Sequence, residues 1–572
     1  MEPATIASQL RELAIYYELD GDRHRSFAYD RASRAIEAAN GLHRLIDEGR
    51  LEELPGVGPS IAKVVAELAR RGTVAVLERL RAQWPNILLD LAMLPSGRGT
   101  LGAGKARTLW TALAPPDLDA VAALCRDGKI RELKGFGKGG EAKLLAAIEE
   151  RRARGARVIL IDAQDHARSL AAHLAADPAC ARVEICGPVR RWCEAVEVLA
   201  YAVQSEDPGA IARRFAAFGP LTSAGAQAPA APDEPLVGHL AGGLRVDVYV
   251  APARRFGWAQ VIATGSPEHV ALLRARAHAR GIDPATPEAT PEAPDEERVY
   301  ASLGLPWLPP EVRDGTDELA AADAGDAFTD LIAPGDLTAA FHCHTTYSDG
   351  RDTIADMVAK AAELGFAAIT ITDHSAAASY ASGLALEQLR AQAAEIAALA
   401  DPPARILHGT EADILADGNL DVPPEMIGAL DVIIASVHQR FKLDEDAMTQ
   451  RLVTAMRQPY FKVWGHALGR LVLRRDPIAV RLDDILDAVA GSRAAIEING
   501  DPYRLDLDPV NARRAVARGI KFVLSSDAHS ANALTCARYA IAMARRARIR
   551  KRDVLNALPV DELADAIRPR PD

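Results

Sequence analysis

The chain has 572 residues, 49% hydrophobic and 25% charged, the proportions of an ordinary globular protein but too long for one core. Its net charge of -11 excludes coating of nucleic acid by bulk electrostatics, leaving local contacts through backbone amides and a few basic side chains. No apolar run is long enough to cross a bilayer, MEPATIASQL lacks the basic-then-apolar pattern of a signal peptide, and six scattered cysteines without a CxxC pair fit a reducing cytoplasm.

Residues 1–155 read as helices with glycine-rich turns, expected as two helical domains over 1–90 and 91–155. LEELPGVGPSIAKVVAELA (51–69) and IRELKGFGKGGEAKLLAAIEE (130–150) each set a GxG turn between two helical stretches. The turn leaves amides at a helix N-terminus, where they can hold a DNA phosphate without reading sequence. The candidate DNA contacts are Gly56, Gly58 and Lys63 in the first turn and Gly135, Gly137 and Lys138 in the second. A stretched variant of the pattern, LAMLPSGRGTLGAGKARTLWTAL, lies between them.

Residues 156–315 mix strand-like runs (ARVIL, VEIC, LRVDVYV) with helical ones and predict an α+β unit, interrupted by the loop GPLTSAGAQAPAAPDEP. The segments DPATPEATPEAPDEE and DELAAADAGDAF read as surface connection, with a linker expected over 316–335.

From 336 to 572 strand and helix alternate. Seven apolar runs end in polar clusters: LTAAFHCHTTYSDG, AAITITDHS, RILHGTEAD, LDVIIASVHQR, FKVWGHALGR, RAAIEINGDPY and IKFVLSSDAHS. Such alternation implies parallel strands closing into a barrel, with the C-terminal strand ends converging on one rim. Half of the fourteen histidines fall between His342 and His529. The candidate metal ligands are His342, His344, Asp349, His374, Glu411, His438, His466, Asp527 and His529. In a strand, His342 and His344 point to one face, and the same parity relates Asp527 and His529. Imidazole with carboxylate suits Zn, Mn or Fe, and nine ligands fit two or three divalent ions able to clamp a phosphate ester. Asp373, beside His374, is expected to orient a ligand or take a proton. Arg440 and Arg470, shortly after ligand histidines, are candidates to neutralise phosphate charge, and His408 reads as structural. The basic run ARRARIRKRD (544–553) reads as a solvated face, with DNA contact as the alternative.

HCHTTYSDG, TDHS, GTEAD, SVH, GH and SSDAH together resemble the polymerase-and-histidinol-phosphatase (PHP) domain over most of 336–560. The resemblance implies a distorted seven-stranded barrel, a trinuclear site built from the nine ligands and phosphoester hydrolysis. The two GxG turns resemble helix-hairpin-helix motifs. ICGPVRRWCEAVEVLAYAV, LRVDVYV, FGWAQVIATGSPEHVALLRARAHARG and EERVYASLGLPWLPPEVRDG resemble the palm and thumb of bacterial family X DNA polymerases, whose chains carry a C-terminal PHP domain.

The palm departs from that family's pattern. Gly187, Arg190, Arg191 and Glu194 match Gly-Ser-x-Arg-Arg and the Glu after it, but Pro188 replaces the Ser, and Val198 and Ala200 stand at the Asp-x-Asp pair. Only the third acid, Asp247, is kept. Two-metal nucleotidyl transfer needs carboxylates holding both ions. Glu197 has the wrong parity, and Glu194 lies roughly 13 Å along an extended strand. Ser60 and Val64 stand where lyase-active members carry a lysine, and Lys63 is turned away by about 100°.

The expectation is a cytoplasmic, nucleoid-associated metal-dependent DNA phosphoesterase. It would act as a 3'-5' exonuclease or 3'-end-processing enzyme in repair, on gapped, nicked or 3' ends bound without sequence specificity, with an inactive polymerase site and no membrane attachment. Two alternatives stay open: a small-molecule phosphomonoesterase with a vestigial front half, and a non-enzymatic DNA-end scaffold.

Overall fold

The computed structural model describes residues 3–37, 42–71, 74–94, 101–154, 156–224, 233–240, 242–283 and 291–570. The centre of the loop at 219–235, the centre of the stretched turn at 95–100 and the segment 284–290 lie outside them. The chain divides into two units, Met1–Gly304 and Leu305–Asp572.

In the first unit a single apolar core runs from Ile6 to Ile148, so the two helical domains expected to meet at 90/91 share one interior. Helix Ala103–Leu113 reaches back to helix Pro3–Asp20, where Arg107 donates to the Leu19 carbonyl at 2.6 Å. Both GxG turns take the expected form. A short 3-10 turn, Leu51–Glu53, leads through Gly56 (φ 85°) into helix Pro59–Arg71. Its counterpart, Ile130–Glu132, leads through Gly135 (φ 91°) into helix Gly137–Arg154. Positive φ in each turn is the reason glycine stands there. The second turn is further tied by Glu141, buried, which accepts from the Arg131 amide and guanidinium.

The middle of this unit holds a two-stranded ribbon, β1 (Val158–Ile159) with β3 (Ala195–Val196). Beside it lies a five-stranded sheet of β2 (Arg182–Cys186), β4 (Val198–Gln204), β5 (Leu221–Ala224), β6 (Leu236–Leu240) and β7 (Arg245–Ala251), in the order β2-β4-β7-β6-β5. The chain changes sheet at Glu197. Glu194 therefore lies off the strand that carries residues 198–204, and the distance along one extended strand expected from the sequence does not apply.

The second unit is built on seven parallel strands. They are β8 (Ala339–Cys343), β9 (Ala368–Ile371), β10 (Arg405–Asp413), β11 (Val432–Ser436), β12 (Val463–Trp464), β13 (Ala495–Asn499) and β14 (Phe522–Ser525). They pair in chain order from β8 to β14. Cys343 and Ala528 bridge just past the two edges and nearly close the barrel. Every residue of β8, β9, β11, β13 and β14 is buried, as expected for parallel strands covered on both faces.

Residues 305–335 fold with this unit. The expected linker 316–335 is instead one half of an electrostatic clasp, and the basic run 544–553 is the other. Arg545 pairs with Glu311 at 2.7 Å, Arg548 with Asp317 at 2.6 Å, Lys551 with Asp336 at 2.9 Å, and Arg550 with Asp326 and Asp330. Between these charges Ala544, Ala547 and Ile549 are buried. The run is therefore tied largely to this chain's own acids, while the Lys551 and Arg552 side chains stay exposed.

Candidate metal centre

The rim at the C-terminal strand ends gathers all nine candidate ligands. The β8 strand carries a bulge between Ala340 and Cys343, and His342 takes a left-handed φ of 60°. The two-residue alternation of an ideal strand therefore does not aim His342 and His344; the bulge does, with ring centroids 5.1 Å apart. Asp527 (φ 49°) and His529 likewise lie beyond the end of β14, in a turn where the Ala528 amide donates to the His342 carbonyl at 3.0 Å. His466 also has positive φ, at 24°. Left-handed backbone at a non-glycine residue costs on the order of 1–3 kcal/mol, and here it recurs at three of the nine positions.

Three groups of ligand atoms converge: His344, Asp349, His374 and His529; His342, His344 and Asp527; and His374, Glu411 and His438. His466 joins them through Glu411, its Nε2 2.9 Å from the carboxylate. Glu411, 1% exposed, also faces His342 at 3.3 Å, His374 at 3.0 Å and His438 at 3.2 Å. The decisive feature is what these atoms lack. His342 Nε2, both ring nitrogens of His344, His374 Nδ1, His438 Nε2, His466 Nδ1 and both Glu411 oxygens are buried without a hydrogen-bond partner. A buried orphan polar group costs about 1–3 kcal/mol, and bound cations would satisfy all eight of these atoms at once. The donor set fits more than one divalent ion.

The electrostatics agree. Burial raises the Glu411 carboxyl, but the imidazoles of His438, His342 and His374 outweigh it and hold it well below the carboxylate range. Burial pushes His344 down to about 3, helped by the neighbouring His529 and His374 rings, leaving neutral nitrogens suited to ligation. Burial opposes charge at His438 too, but Glu411 and Asp413 raise it to about 9. For His529, Asp349 and Asp527 overcome burial in the same way, again to about 9.

Several residues absent from the sequence reading organise the cluster. Asp413 Oδ1 lies 2.7 Å from His438 Nδ1, leaving Nε2 to face Glu411. Glu497, fully buried, sits 2.5 Å from His342 Nδ1 and accepts from the His466 amide. Asn499 bridges Glu497 and Asp527 with 3.1 Å bonds. Arg504 places its guanidinium 3.4 Å from Asp527. Two of these had visible signals: Asp413 shares a strand face with Glu411, and Glu497 is a lone acid in an otherwise apolar run.

The other candidate residues lie around this cluster. The buried carboxylate of Asp373 accepts from Thr345 (2.8 and 2.7 Å), Ser348 (2.5 and 3.2 Å) and Gln392 (2.6 Å), in keeping with the orienting role expected of it. It fixes the turn that carries Asp349. His408, read as structural, supports the same network through Gln392 at 3.0 Å. Arg470 donates to the Arg504 and Leu505 carbonyls and so braces the 504–506 segment. Arg440 is exposed, and among the described residues no hydrogen bond joins it to the site.

In the first unit Gly56, Gly58, Lys63, Gly135, Gly137 and Lys138 are all exposed on their turns. In the palm-like sheet Ala200 is the register partner of Asp247 and Val198 that of Arg245. Ala200 is buried in an apolar patch with Cys186, Phe256 and Ala263, and Asp247 pairs with Arg245 of its own strand at 2.7 Å. Arg190 is held by Glu296 through two 2.8 Å bonds.

The class that fold and site define is met by three family models: a PHP domain over residues 340–501, a helix-hairpin-helix domain over 1–74 and a DNA polymerase beta thumb over 259–314. Over 97% of its length the chain is similar, at 29% identity, to the DNA polymerase/3'-5' exonuclease PolX of Bacillus subtilis, covering 98% of that protein. Two probable phosphatases resemble it in part. One, from Caldanaerobacter subterraneus, is 30% identical over 22% of this chain and 50% of its own length. The other, from a Thermoanaerobacter species, is 28% identical over 33% and 77% respectively. Among the described residues, no helix is long and apolar enough to cross a membrane.

Proposed function

We propose that this protein is a metal-dependent DNA phosphoesterase that shortens 3' ends in repair, with a polymerase-like front half that holds DNA and does not extend it. The observation that carries this reading is the cluster of buried, unpartnered imidazole and carboxylate atoms at the barrel rim. The nine residues named from the sequence would hold two or three ions of Mn, Zn or Fe, which when bound supply an activated water and charge neutralisation on the phosphate. Asp413 and Glu497 keep His438 and His342 in one ring orientation, with the nitrogen that faces the cluster free of the other's hydrogen bond. Arg504, 22% exposed at its side chain, sets a fixed positive charge beside Asp527 where a phosphate would enter. The exposed glycine turns suit contact with phosphates along a duplex or its ends.

The loss of polymerase chemistry is supported by the palm. Two ions cannot be held where Ala200 and Val198 stand, because neither side chain offers oxygen. Asp247 is engaged by Arg245, and Arg190 by Glu296. A whole-chain relative named as a polymerase and exonuclease favours DNA as substrate. The relatives named as probable phosphatases, which match a smaller share of the chain, keep a small phosphomonoester as the second reading.

The test is the double substitution His342→Ala/His344→Ala in the full chain. It should bind gapped duplex as the parent does and fail to degrade it. Undiminished degradation, or loss of binding in step with loss of cutting, would overturn the proposal.

A further inference from the structure

Tyr380 stands beside the metal centre with 64% of its surface exposed. Its ring centroid lies 6.0 Å from that of His374 and 6.0 Å from that of His438. Both imidazoles meet it at steep angles, 62° and 60°, so neither lies flat against it.

The loop that carries this ring is rigidly held. Leu384 N–H donates to the His374 carbonyl at 2.7 Å, and Gly383 N–H to Ala378 at 3.1 Å. Ala377 N–H donates to Asp421 at 2.6 Å, and Gln439 to the Ala377 carbonyl at 2.7 Å. At Gly383 the backbone passes so near Ser375 that a Cβ would fall 1.9 Å from its carbonyl oxygen. Ala378 and Ala381, on either side of Tyr380, are each 1% exposed. With Ala378 and Ala381 anchoring the loop inward, the Tyr380 ring is held at a fixed place beside the cluster, open to a molecule that enters it.

A nucleobase fits that ring. The phosphate of a terminal nucleotide would sit at the ligand cluster, and its base is a flat, apolar-faced group a few ångströms away. Stacking on an aromatic ring is tolerant of base identity, matching a site that processes ends of any sequence. A small aliphatic phosphomonoester would gain nothing from it.

We infer that Tyr380 is the platform on which the base of the terminal nucleotide stacks during hydrolysis, and so selects nucleic-acid ends over base-free phosphate esters. This rests on the proposed phosphoesterase reading. The stacking contact is made by the ring, so Tyr380→Phe retains it, while the hydroxyl lies within electrostatic range of the Glu411, Asp413 and Asp349 carboxylates.

The test compares the full chain, Tyr380→Phe and Tyr380→Ala under Mn on two labelled oligonucleotides, one ending in a normal 3' nucleotide and one in a base-free tetrahydrofuran residue. The parent and Tyr380→Phe should prefer the base-bearing end by roughly 10- to 100-fold in kcat/KM, the range that aromatic stacking on one base gives. Tyr380→Ala should lose the preference, mainly through KM, while its rate on the base-free end stays that of the parent. Because the side chain is exposed, the variant should fold normally, and the unchanged base-free rate verifies this. An Ala variant that keeps the preference, or loses both substrates equally, overturns the inference alone. A parent that cleaves neither oligonucleotide overturns the phosphoesterase reading with it.

Discussion

Asp413→Asn isolates the contribution of a residue that would touch neither ion nor substrate. Asp413 and His438 are almost fully buried, with side chains 3% and 8% exposed, and the 2.7 Å bond between them fixes which ring nitrogen faces Glu411. Asparagine keeps an acceptor oxygen in the same place and removes the negative charge. The ring should therefore stay oriented while its outward nitrogen becomes a weaker donor of electrons. Carboxylates in this position are worth about 10- to 100-fold in metal affinity or activity, or roughly 1.4–2.8 kcal/mol. With orientation retained, the Asn variant should fall near the lower end of that range. Asp413→Ala loses orientation as well and should fall near the upper end. The assay is a Mn titration of phosphodiester hydrolysis by the full chain, read as half-saturating Mn and as rate at saturation. Both variants should recover most of the parent rate at high Mn. Half-saturation within about twofold of the parent for both, or a loss that Mn does not restore, would refute the reasoning.

The metal-free chain should be less stable in base. His438 and His529, against the pull of burial, are raised to about 9 by surrounding carboxylates, whereas an unfolded imidazole titrates at about 6.5. The stabilisation they lend is complete below pH 6.5 and is lost as pH rises through about 9. After chelation, the melting temperature of the C-terminal unit should fall between pH 6.5 and 9.5, and a flat or rising profile would contradict the charge assignment. Arg545→Ala removes the clasp pair with Glu311 and the bond to the Ile332 carbonyl. It should destabilise that unit by about 2 kcal/mol in urea, less than the roughly 3–5 expected for a fully buried pair. Gly383→Ala drives a Cβ into the Ser375 carbonyl and should cost about 1–3 kcal/mol, with activity reduced because Leu384 is bonded to the His374 backbone.

The barrel and its ligands were legible because local signals report both. A strand buried on two faces must be a continuous apolar run, and a histidine at its end has few structural uses. The aim of those ligands was not legible. His342, His466 and Asp527 adopt backbone conformations that ideal strand periodicity does not contain, and for His342 and Asp527 the closure between β8 and β14 shows why they converge. Arg440 and Arg470 illustrate a related limit. Adjacency to a ligand in sequence says little about which way a side chain turns, and Arg470 became a brace for a loop. The clasp was misread for the opposite reason. Its acidic and basic halves lie more than 200 residues apart, and each taken alone has the composition of solvated surface. Tyr380 shows what composition conceals, since a single tyrosine on a loop acquires meaning only from its neighbours.

In the proposed function the barrel rim is the one working catalytic centre of a chain built like a polymerase. The most direct measurement gives the purified full chain Mn, a labelled 3'-recessed duplex and all four dNTPs together. The account predicts shortening of the recessed strand, no lengthening at any dNTP concentration, and loss of shortening in His342→Ala/His344→Ala. Templated extension would contradict it, because Val198 and Ala200 would then not have ended the polymerase chemistry of the palm.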